Sequence, residues 1–348
     1  MAPVLSDLQR GNAVTLQVRP AQLKDLGAIE ALYRQQVREA ERSPLKRQFA
    51  STRLWFLLNS AFASIIPITS AADHVYVMED AKRRTIEGFV QAETAALGPG
   101  VWQILNLCLS PDLDRVQDGT ALLDHLFNEG LNHGVTKFIV RVPVDDPVVD
   151  LFRARGFTAY ATEHALLTES VTARPAPAVA GWRPMRRDDE LGLYLLYVAT
   201  TPKSVAAVEA SNFAEWRRSF QPGSWSARIP RRAGQPRFVI ERMQVVGWMS
   251  LVPGGGGRPH SLGLMAASQP AELWPSLVQR SLAYVAQRQP GPVWCSLRHY
   301  DEVGIQLLQR EGFEVIASQA LMVRELPLKV RARMRVRIKD KRLVPQYG

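Results

Sequence analysis

The sequence predicts an α/β fold of the α+β kind, in which two tandem domains each consist of a mixed, twisted sheet flanked by helices. The first observation behind this is a repeat, because "DLFRARGF", which ends at Phe157, reappears as "QLLQREGF", which ends at Phe313. In both copies a strand-like apolar run precedes a helical pattern that a Gly and a Phe close. The second is length, since 348 residues exceed what one core of ordinary size supports.

The first half alternates strand and helix patterns. A strand at "LQVRP" precedes apolar residues at helical spacing, and a second helix is predicted over 51–63. The runs "HVYVME", "IEGFVQAET" and "VWQILNLCLSP" predict three strands, the first two joined by the turn "DAKRR". A helix at "DGTALLDHLFNEGLNHG", a strand at "KFIVRVPV", a helix at "DPVVDLFRARG" and a strand at "FTAYATEHALL" complete this half.

The same order restarts after "TESVTARPAPAVAG", which has no apolar periodicity and is typical of an extended linker. "WRPMRRDDE" mirrors "VRPAQLKDL", helices are predicted over about 189–220, and "RFVIERMQVVGWMSLVP" predicts a hairpin. The strand "HSLGLMAAS", a helix over about 271–288, the strand "PVWCSLRHY", the helix "DEVGIQLLQREG" and the strand "FEVIASQALMVREL" follow. The predicted organisation is a first domain at 1–168, a linker at 169–181, a second domain at 182–327 and a basic tail at 328–348.

Composition places the chain among globular proteins, with 46% hydrophobic and 22% charged residues. No run reaches the ~18 to 20 uncharged apolar residues of a membrane helix, and the first residues lack the features of a signal peptide. A cytoplasmic location without a membrane span is therefore the expectation. Cys108 and Cys295 lie in apolar runs and are expected to be buried free thiols, and the sequence predicts no metal site.

The formal charge of +10 is concentrated at the C-terminal end of the chain. Residues 329–348 hold eight basic side chains and one acid, so the preceding residues carry only +3. Cations alternate with apolar residues there, which is the period of a strand. The tail either adds an edge strand with a basic face or serves as a basic arm for RNA, ribosomes or anionic surfaces. Nucleic acid is the weaker alternative, because no aromatic residues are interleaved for base stacking.

Each half resembles the GCN5-related N-acetyltransferases (GNATs), and the pair resembles tandem GNAT proteins. In the first half the resemblance is carried by "VRPAQLKDLGAIEALY", "LCLSP", "GTALLDHLF" and "DDPVVDLFRARGF", and in the second by "WRPMRRDDE" and "DEVGIQLLQREGF". The resemblance implies acetyl-CoA as co-substrate and an amine as acceptor. It also implies a strand splayed from its neighbour to receive the pantetheine arm, followed by a glycine-rich turn whose N–H groups face the pyrophosphate.

The resemblance places the phosphate turn before the helix "GTALLDHLF". Gly119 matches the final glycine of the family's turn, whereas Gln117 and Asp114 stand at its other two positions. A one-residue deletion brings Arg115 to the turn. The implied cofactor-binding residues are Leu107, Leu109, Arg115, Gln117, Asp118, Gly119 and Thr120. Three acids, Asp112, Asp114 and Asp118, oppose a bound diphosphate, and the alternative is a helix that Asp118 simply caps.

The catalytic groups are less well marked. The tyrosine that protonates the leaving thiolate in the family corresponds to Phe152 in the first half and Leu308 in the second. Asn106 and Glu93 are the candidates for the group that takes the amine proton, directly or through water. Asn106 lies in an apolar strand, so its amide is either satisfied inside the sheet or faces the substrate.

The second half is expected to have lost its cofactor site. No glycine occurs between Ala266 and Leu282, and Pro270 and Pro275 remove N–H donors where a phosphate needs them. The run "PGGGGRP" connects two strands and predicts a hairpin loop, not a phosphate-binding loop.

These observations predict an acyl-CoA-dependent N-acetyltransferase that moves an acetyl group directly to an amine, with the cofactor site in the first half. The acceptor is a small molecule or a peptide amine. The alternative is a decayed pair that binds a ligand or a partner, with RNA or the ribosome among the candidates. The sequence leaves the acceptor and the oligomeric state open.

Overall fold

The computed structural model describes residues 16–42, 73–95, 97–98, 100–172, 175–219, 235–254, 259–288 and 291–326. The helix predicted over 51–63, the middle of the loop "PGGGGRP" and the basic tail lie outside these residues.

Within the described residues, twelve strands form one continuous sheet. The strands are β1 (Leu16–Pro20), β2 (Asp73–Asp80), β3 (Thr85–Thr94), β4 (Val101–Leu109), β5 (Lys137–Pro143), β6 (Thr158–Thr168), β7 (Trp182–Pro184), β8 (Arg237–Glu241), β9 (Val245–Val252), β10 (His260–Ala266), β11 (Val293–Arg298) and β12 (Glu314–Glu325). Their order across the sheet is β1-β2-β3-β4-β5-β12-β6-β11-β10-β9-β8-β7. The strands and helices predicted within the described residues are confirmed, and the fold is the predicted mixed sheet flanked by helices.

Helices cover both faces of the sheet. They are α1 (Leu26–Arg42), α2 (Gln117–Asn132), α3 (Val148–Ala154), α4 (Glu190–Thr200), α5 (Lys203–Glu209), α6 (Phe213–Ser219), α7 (Leu273–Ala286) and α8 (Glu302–Arg310). Helices α2, α3, α7 and α8 pack on one face, which we call the α2 face. Helices α1, α4, α5 and α6 pack on the opposite face, which we call the α1 face.

The two repeats exchange their last strands. Strand β12 of the second repeat lies between β5 and β6 of the first, and β6 in turn pairs with β11 of the second. The β6–β12 pairing skips Tyr160 on one strand and Ile316 on the other, 156 positions apart. Since Gly156 and Gly312 are separated by the same 156 positions, the repeats are related by an approximate two-fold axis that passes between β6 and β12. The sheet is therefore shared, and the predicted boundary between the domains stays a prediction about the order along the chain.

The repeated "RP" segment builds the same ion-pair cluster in both halves. Arg19 Nη1 lies 2.7 Å from Asp25 Oδ2, and its Nε donates to Glu79 across the β1–β2 pair. In the second repeat Arg183, Asp189 and Glu241 make the same contacts. Arg183 Nη1 lies 2.8 Å from Asp189 Oδ2, and Arg183 Nε donates to Glu241. The hydrogen bonds from these arginines hold the pKa of Asp25 and of Asp189 below the ordinary value. Each cluster ties the start of a repeat to its second strand.

The repeated "GF" segment ends a helix in the same way twice. Gly156 and Gly312 have φ of +82° and +83°, which favours glycine. The amide of Phe157 donates to the carbonyl of Phe152 at 3.0 Å, and the glycine amide bonds one turn back. The second repeat reproduces both bonds at its own glycine and phenylalanine. This helix ending, with its left-handed residue and two reversed bonds, is the reason for the recurring sequence.

A buried ionic cluster lies on the α1 face where the exchanged strands meet. Arg298 Nη2 is 2.9 Å from Glu209 Oε1, and Arg298 Nε is 3.6 Å from Glu163 Oε2. Burial raises the pKa of Glu209, an effect that Arg298 and Arg141 offset only in part. For Glu163 these two guanidinium groups outweigh burial, and its pKa lies below the ordinary value. Tyr160 completes the cluster with a hydrogen bond to Glu209. The cluster joins α5 of the second repeat to strands of both repeats.

Candidate functional site

A cleft opens between β4 and β5 of the first repeat. The two parallel strands pair only from Val101 with Lys137 to Ile104 with Val140. Beyond this point β4 continues to Leu109 with β3 as its sole strand partner among the described residues. The predicted splayed strand is therefore present, and among the described residues no second strand pairs with the outer edge of its second half.

A β-bulge marks the place where the cleft begins. The pairing of β3 with β4 passes from Ala92 opposite Ile104 to Gln91 opposite Asn106 and so skips Leu105. The extra residue re-aims the rest of the strand, so that Asn106 turns toward the α1 face and Leu107 toward the α2 face. Bulges of this kind are frequent next to active sites.

The second repeat has the cleft without the bulge. Strands β10 and β11 pair from His260 with Val293 to Leu262 with Cys295 and then separate. The pairing of β9 with β10 is regular along its whole length. The two clefts thus differ at the β-bulge, which changes the direction of the side chains on β4 and has no counterpart on β10.

The predicted pantetheine-binding residues line the α2 side of the cleft. Leu107 and Leu109 are half-buried and pack against the first repeat's core. The carbonyl oxygen of Leu107 accepts a hydrogen bond from the Gln36 side chain of α1 at 3.5 Å. This contact shows that a donor outside the sheet can reach the Leu107 carbonyl. A pantetheine amide would need the same access.

Asn106 is satisfied inside the sheet. Its Nδ2 donates to Gln91 Oε1 at 2.8 Å, and both side chains are buried on the α1 face. The amide nitrogen of Gln91 has no partner, so this pair leaves one buried donor unsatisfied next to the cleft. The structure thus corresponds to the first of the two alternatives for Asn106 and retains one polar atom that a ligand or water can meet.

Glu93 is half-buried on the α1 face and lies opposite Gln103 on β4. Gln103 precedes the bulge, on the part of β4 that is still paired with β5, and Glu93 lies beside it on β3. Glu93 is therefore closer to the closed end of the cleft than Asn106 is. The proton-accepting roles of Glu93 and Asn106 stay predictions.

The turn before α2 is capped by its own aspartate. Asp114 Oδ1 accepts hydrogen bonds from the amides of Val116 at 2.8 Å and Gln117 at 2.7 Å, and the amide of Asp118 donates to the Asp114 carbonyl at 2.9 Å. The alternative of a cap by Asp118 is wrong, because the Asp118 carboxylate accepts from the Asp114 amide at 3.0 Å instead of from the helix. Three amides of the predicted phosphate turn therefore donate to Asp114, while Arg115 is exposed.

Gly119 allows close packing in the first turn of α2. A Cβ atom on this residue would lie 2.8 Å from Leu151 Cδ2 and 3.5 Å from Leu109 Cδ1. The missing side chain lets α2 approach α3 and β4 at the mouth of the cleft. Thr120, which follows it, is half-buried, and its amide donates to the Val116 carbonyl at 3.1 Å. The cofactor-binding role of both residues stays a prediction.

The residues at the tyrosine positions are core residues. Phe152 is 2% exposed and contacts Phe157, and Leu308 is 0% exposed in the core of the second repeat. Tyr160 and Tyr300 lie in a small apolar cluster with α5, and burial raises the pKa of both phenols. These phenols belong to the ionic cluster on the α1 face.

Among the described residues, no group of three or more His, Cys, Asp or Glu side chains could hold a metal ion. None of the described helices is both long enough and apolar enough to cross a membrane. Both cysteines are buried and free, as predicted.

The fold is similar to those of solved GNAT structures. A GCN5-related N-acetyltransferase from Sphaerobacter thermophilus aligns with a TM-score of 0.57 and 13% identity, over 89% of this chain and 95% of that one. A tandem GNAT protein from the clavulanic acid biosynthesis pathway aligns with a TM-score of 0.51 and 16% identity, over 89% and 98%. The GCN5-related glucosamine N-acetyltransferase region of a fungal multi-domain GH3 β-N-acetylglucosaminidase gives 0.60 and 14%, over 90% of this chain and 38% of that one.

No protein-family model and no curated protein sequence matches this chain. At 13 to 16% identity the structural likeness concerns the fold. The splayed strands, the helix order and the duplication all agree with it. The chain has the fold of the GCN5-related N-acetyltransferases, present twice in tandem.

Proposed function

We propose that the chain is an acyl-CoA-dependent N-acetyltransferase whose donor binds in the cleft of the first repeat. The observation that carries the proposal is the opening of β4 from β5 directly after the bulge at Leu105. The second repeat, without this bulge and with prolines at the start of α7, supports the first repeat through the exchanged strands. The acceptor is an amine, either of a small molecule or of a peptide.

The first repeat offers the donor a partial fit. The edge of β4 at Leu107 and Leu109, which pairs with no strand among the described residues, suits the amides of a pantetheine arm, and the pantetheine would replace the long contact from Gln36 to the Leu107 carbonyl. The amides of Val116 and Gln117 point at the Asp114 carboxylate, an anion placed where a diphosphate oxygen would lie. The diphosphate therefore binds in competition with Asp114, and Arg115 supplies the exposed positive charge beside it.

The bound thioester supplies an activated acetyl group, and the protein holds the amine against it. Positioning contributes most of the rate, because an oriented pair reacts as a unimolecular system. A main-chain amide at the bulge polarises the thioester carbonyl. The amine proton leaves through water toward the polar residues on the α1 face, Glu93, Gln91 and Asn106. No tyrosine at the position of Phe152 protonates the thiolate, so that proton comes from solvent or from the amine itself.

Acetyl-CoA titration tests the proposal. We expect calorimetry to show binding to the wild-type protein and roughly tenfold weaker binding to Arg115→Ala, because one charge-assisted contact to phosphate is lost. Arg310→Ala is the matched control, since it removes an exposed arginine from α8 of the second repeat. Equal affinity of Arg115→Ala and wild type would remove Arg115 from the site.

The Asp114 contacts favour a second candidate function. A turn whose amides are already satisfied is also what a decayed acyltransferase would show, and such a protein would bind a ligand or a partner without chemistry. Tight acetyl-CoA binding with no transfer to any amine would favour this candidate.

Phe152→Leu separates packing from catalysis. We expect turnover to change little, because Phe152 is a buried core residue that cannot give up a proton. The unfolding free energy should fall by about 1 kcal/mol from lost contacts with Phe157 and its neighbours. Turnover is measured below the unfolding temperature of the variant. A large drop in kcat with an intact fold would show that the ring takes part in the reaction.

A further inference from the structure

Helix α4 carries apolar residues on its exposed side as well as on its buried side. Leu193 and Leu196 face the core at 0% and 3% exposure. Leu191, Leu195 and Val198 are 56%, 52% and 50% exposed, and their spacing of four and three positions aligns them along one side of the helix. We call these three residues the α4 stripe. A helix that is apolar all round is normally covered on every side.

The first repeat shows that the fold does not require this stripe. Helix α1 starts from the same Arg–Pro segment 164 positions earlier, and the residues there are Gly27, Ala31 and Arg34. Ala31 and Arg34 are exposed in the same way, and Arg34 pairs with Glu30 on the helix surface. Two copies of one helix thus differ at the solvent side, and the second copy has gained three branched apolar side chains.

The surroundings of the stripe extend it and add positive charge. Gly192 of α4 lies against Val245, since a Cβ there would be 2.9 Å from Val245 Cγ2, and this brings the β8–β9 turn next to the start of the helix. Met243 at the tip of that turn is fully exposed. The exposed arginines around this surface are Arg186, Arg187, Arg217 and Arg242. The nearby acids are Asp188, Glu190, which pairs with Arg217 at 2.8 Å, Glu272, which pairs with Arg242 at 3.5 Å, and Glu241, which pairs with Arg183 at 2.6 Å.

We propose that the α4 stripe and Met243 form a docking surface for an anionic lipid bilayer. A shallow apolar surface bordered by arginines suits the boundary between acyl chains and acidic headgroups. The sequence adds eight basic residues against one acid in 329–348, which strengthens attraction to such a surface. This inference is independent of the proposed transferase activity.

A second copy of the chain fits the surface less well. Three half-exposed side chains and Met243 offer much less than the roughly 800 Å² that each partner buries in a stable protein interface. A symmetric contact through α4 would also bring the arginines of both copies together, which costs free energy.

Flotation of the full-length protein with vesicles tests the inference. We expect binding to an equimolar mixture of phosphatidylglycerol and phosphatidylcholine, and little binding to phosphatidylcholine alone. The double variant Leu195→Gln, Met243→Gln should bind at least about tenfold more weakly, because two apolar side chains no longer enter the headgroup layer. Ala31→Gln, at the equivalent position of α1, should bind as the wild type does. Circular dichroism verifies that all three proteins are folded.

Two outcomes would overturn the inference. One is equal flotation of the double variant and the wild type, or no flotation of either. The other is a wild-type dimer in analytical ultracentrifugation that the double variant abolishes while vesicle binding is absent, which would assign the surface to a second copy.

Discussion

Replacing Arg298 with methionine should lower the unfolding free energy by about 3 to 5 kcal/mol, since it leaves two buried carboxylates without their shared cation. Arg298 is 10% exposed at its side chain, and its partners Glu209 and Glu163 are 5% and 9% exposed. Methionine keeps most of the volume, so the loss reports on charge and not on a cavity. Urea denaturation at neutral pH gives the value.

The pH dependence of Arg298→Met checks the cause. Without the guanidinium of Arg298, Arg141 alone opposes the effect of burial, so the pKa of Glu209 and Glu163 in the folded state should lie above that in the unfolded chain. The folded state then binds more protons, so the variant should gain stability as the pH falls toward the unfolded pKa and lose it as the pH rises. Arg153→Met is the control, because Arg153 and Asp150 are 62% and 81% exposed and the pair should contribute about 0.5 kcal/mol or less. A pH-independent loss would point to packing instead.

Gly181→Ala should lower the unfolding free energy by an amount similar to that of Arg298→Met, but for a steric reason. Gly181 has φ of +79°, and a Cβ there would lie 1.7 Å from the carbonyl oxygen of Glu241 and 2.8 Å from its carbonyl carbon. Backbone atoms cannot swing aside as a side chain does. We expect a loss of about 3 kcal/mol or more, from the left-handed conformation and the collision together.

Gly134→Ala isolates the conformational part of that cost. Gly134 has φ of +78°, and its Cβ would meet no atom within 4 Å. Its substitution should cost only about 1 kcal/mol. Thermal unfolding of both variants under the same conditions makes the comparison. Similar losses of unfolding free energy in the two variants would mean that the backbone at Glu241 shifts at little cost and so relieves the collision.

The sequence predicted the elements well where one signal dominated. Strand β4 was clear because its apolar run is bounded by turn residues, and α2 because apolar residues recur along one side of it. The exchange of β6 and β12 could not be predicted. Both strands follow the same "GF" helix ending and both contain an apolar run, so the sequence does not indicate which of them pairs with β5.

The site was predicted less completely. The place of the cleft followed from the resemblance, and Gly119 was singled out, yet its contact with Leu151 depends on how α3 packs against α2. The Asp114 cap had a readable signal, since an aspartate three residues before a helix is a common way to satisfy its first amides. The partners of Arg298 had none, because Glu209 lies 89 positions away and reaches it only through α5.

The central claim, that the turn before α2 holds the diphosphate of acetyl-CoA, is tested most directly by titrating acetyl-CoA into the Asp114→Ala protein. This change frees the amides of Val116 and Gln117 and removes a negative charge. Asp112→Ala, which removes a nearby exposed acid that makes no hydrogen bond to these amides, is the control. We predict that Asp114→Ala binds acetyl-CoA at least about fivefold more tightly than wild type and that Asp112→Ala gains clearly less. No binding to either the wild type or Asp114→Ala at millimolar acetyl-CoA would contradict the claim.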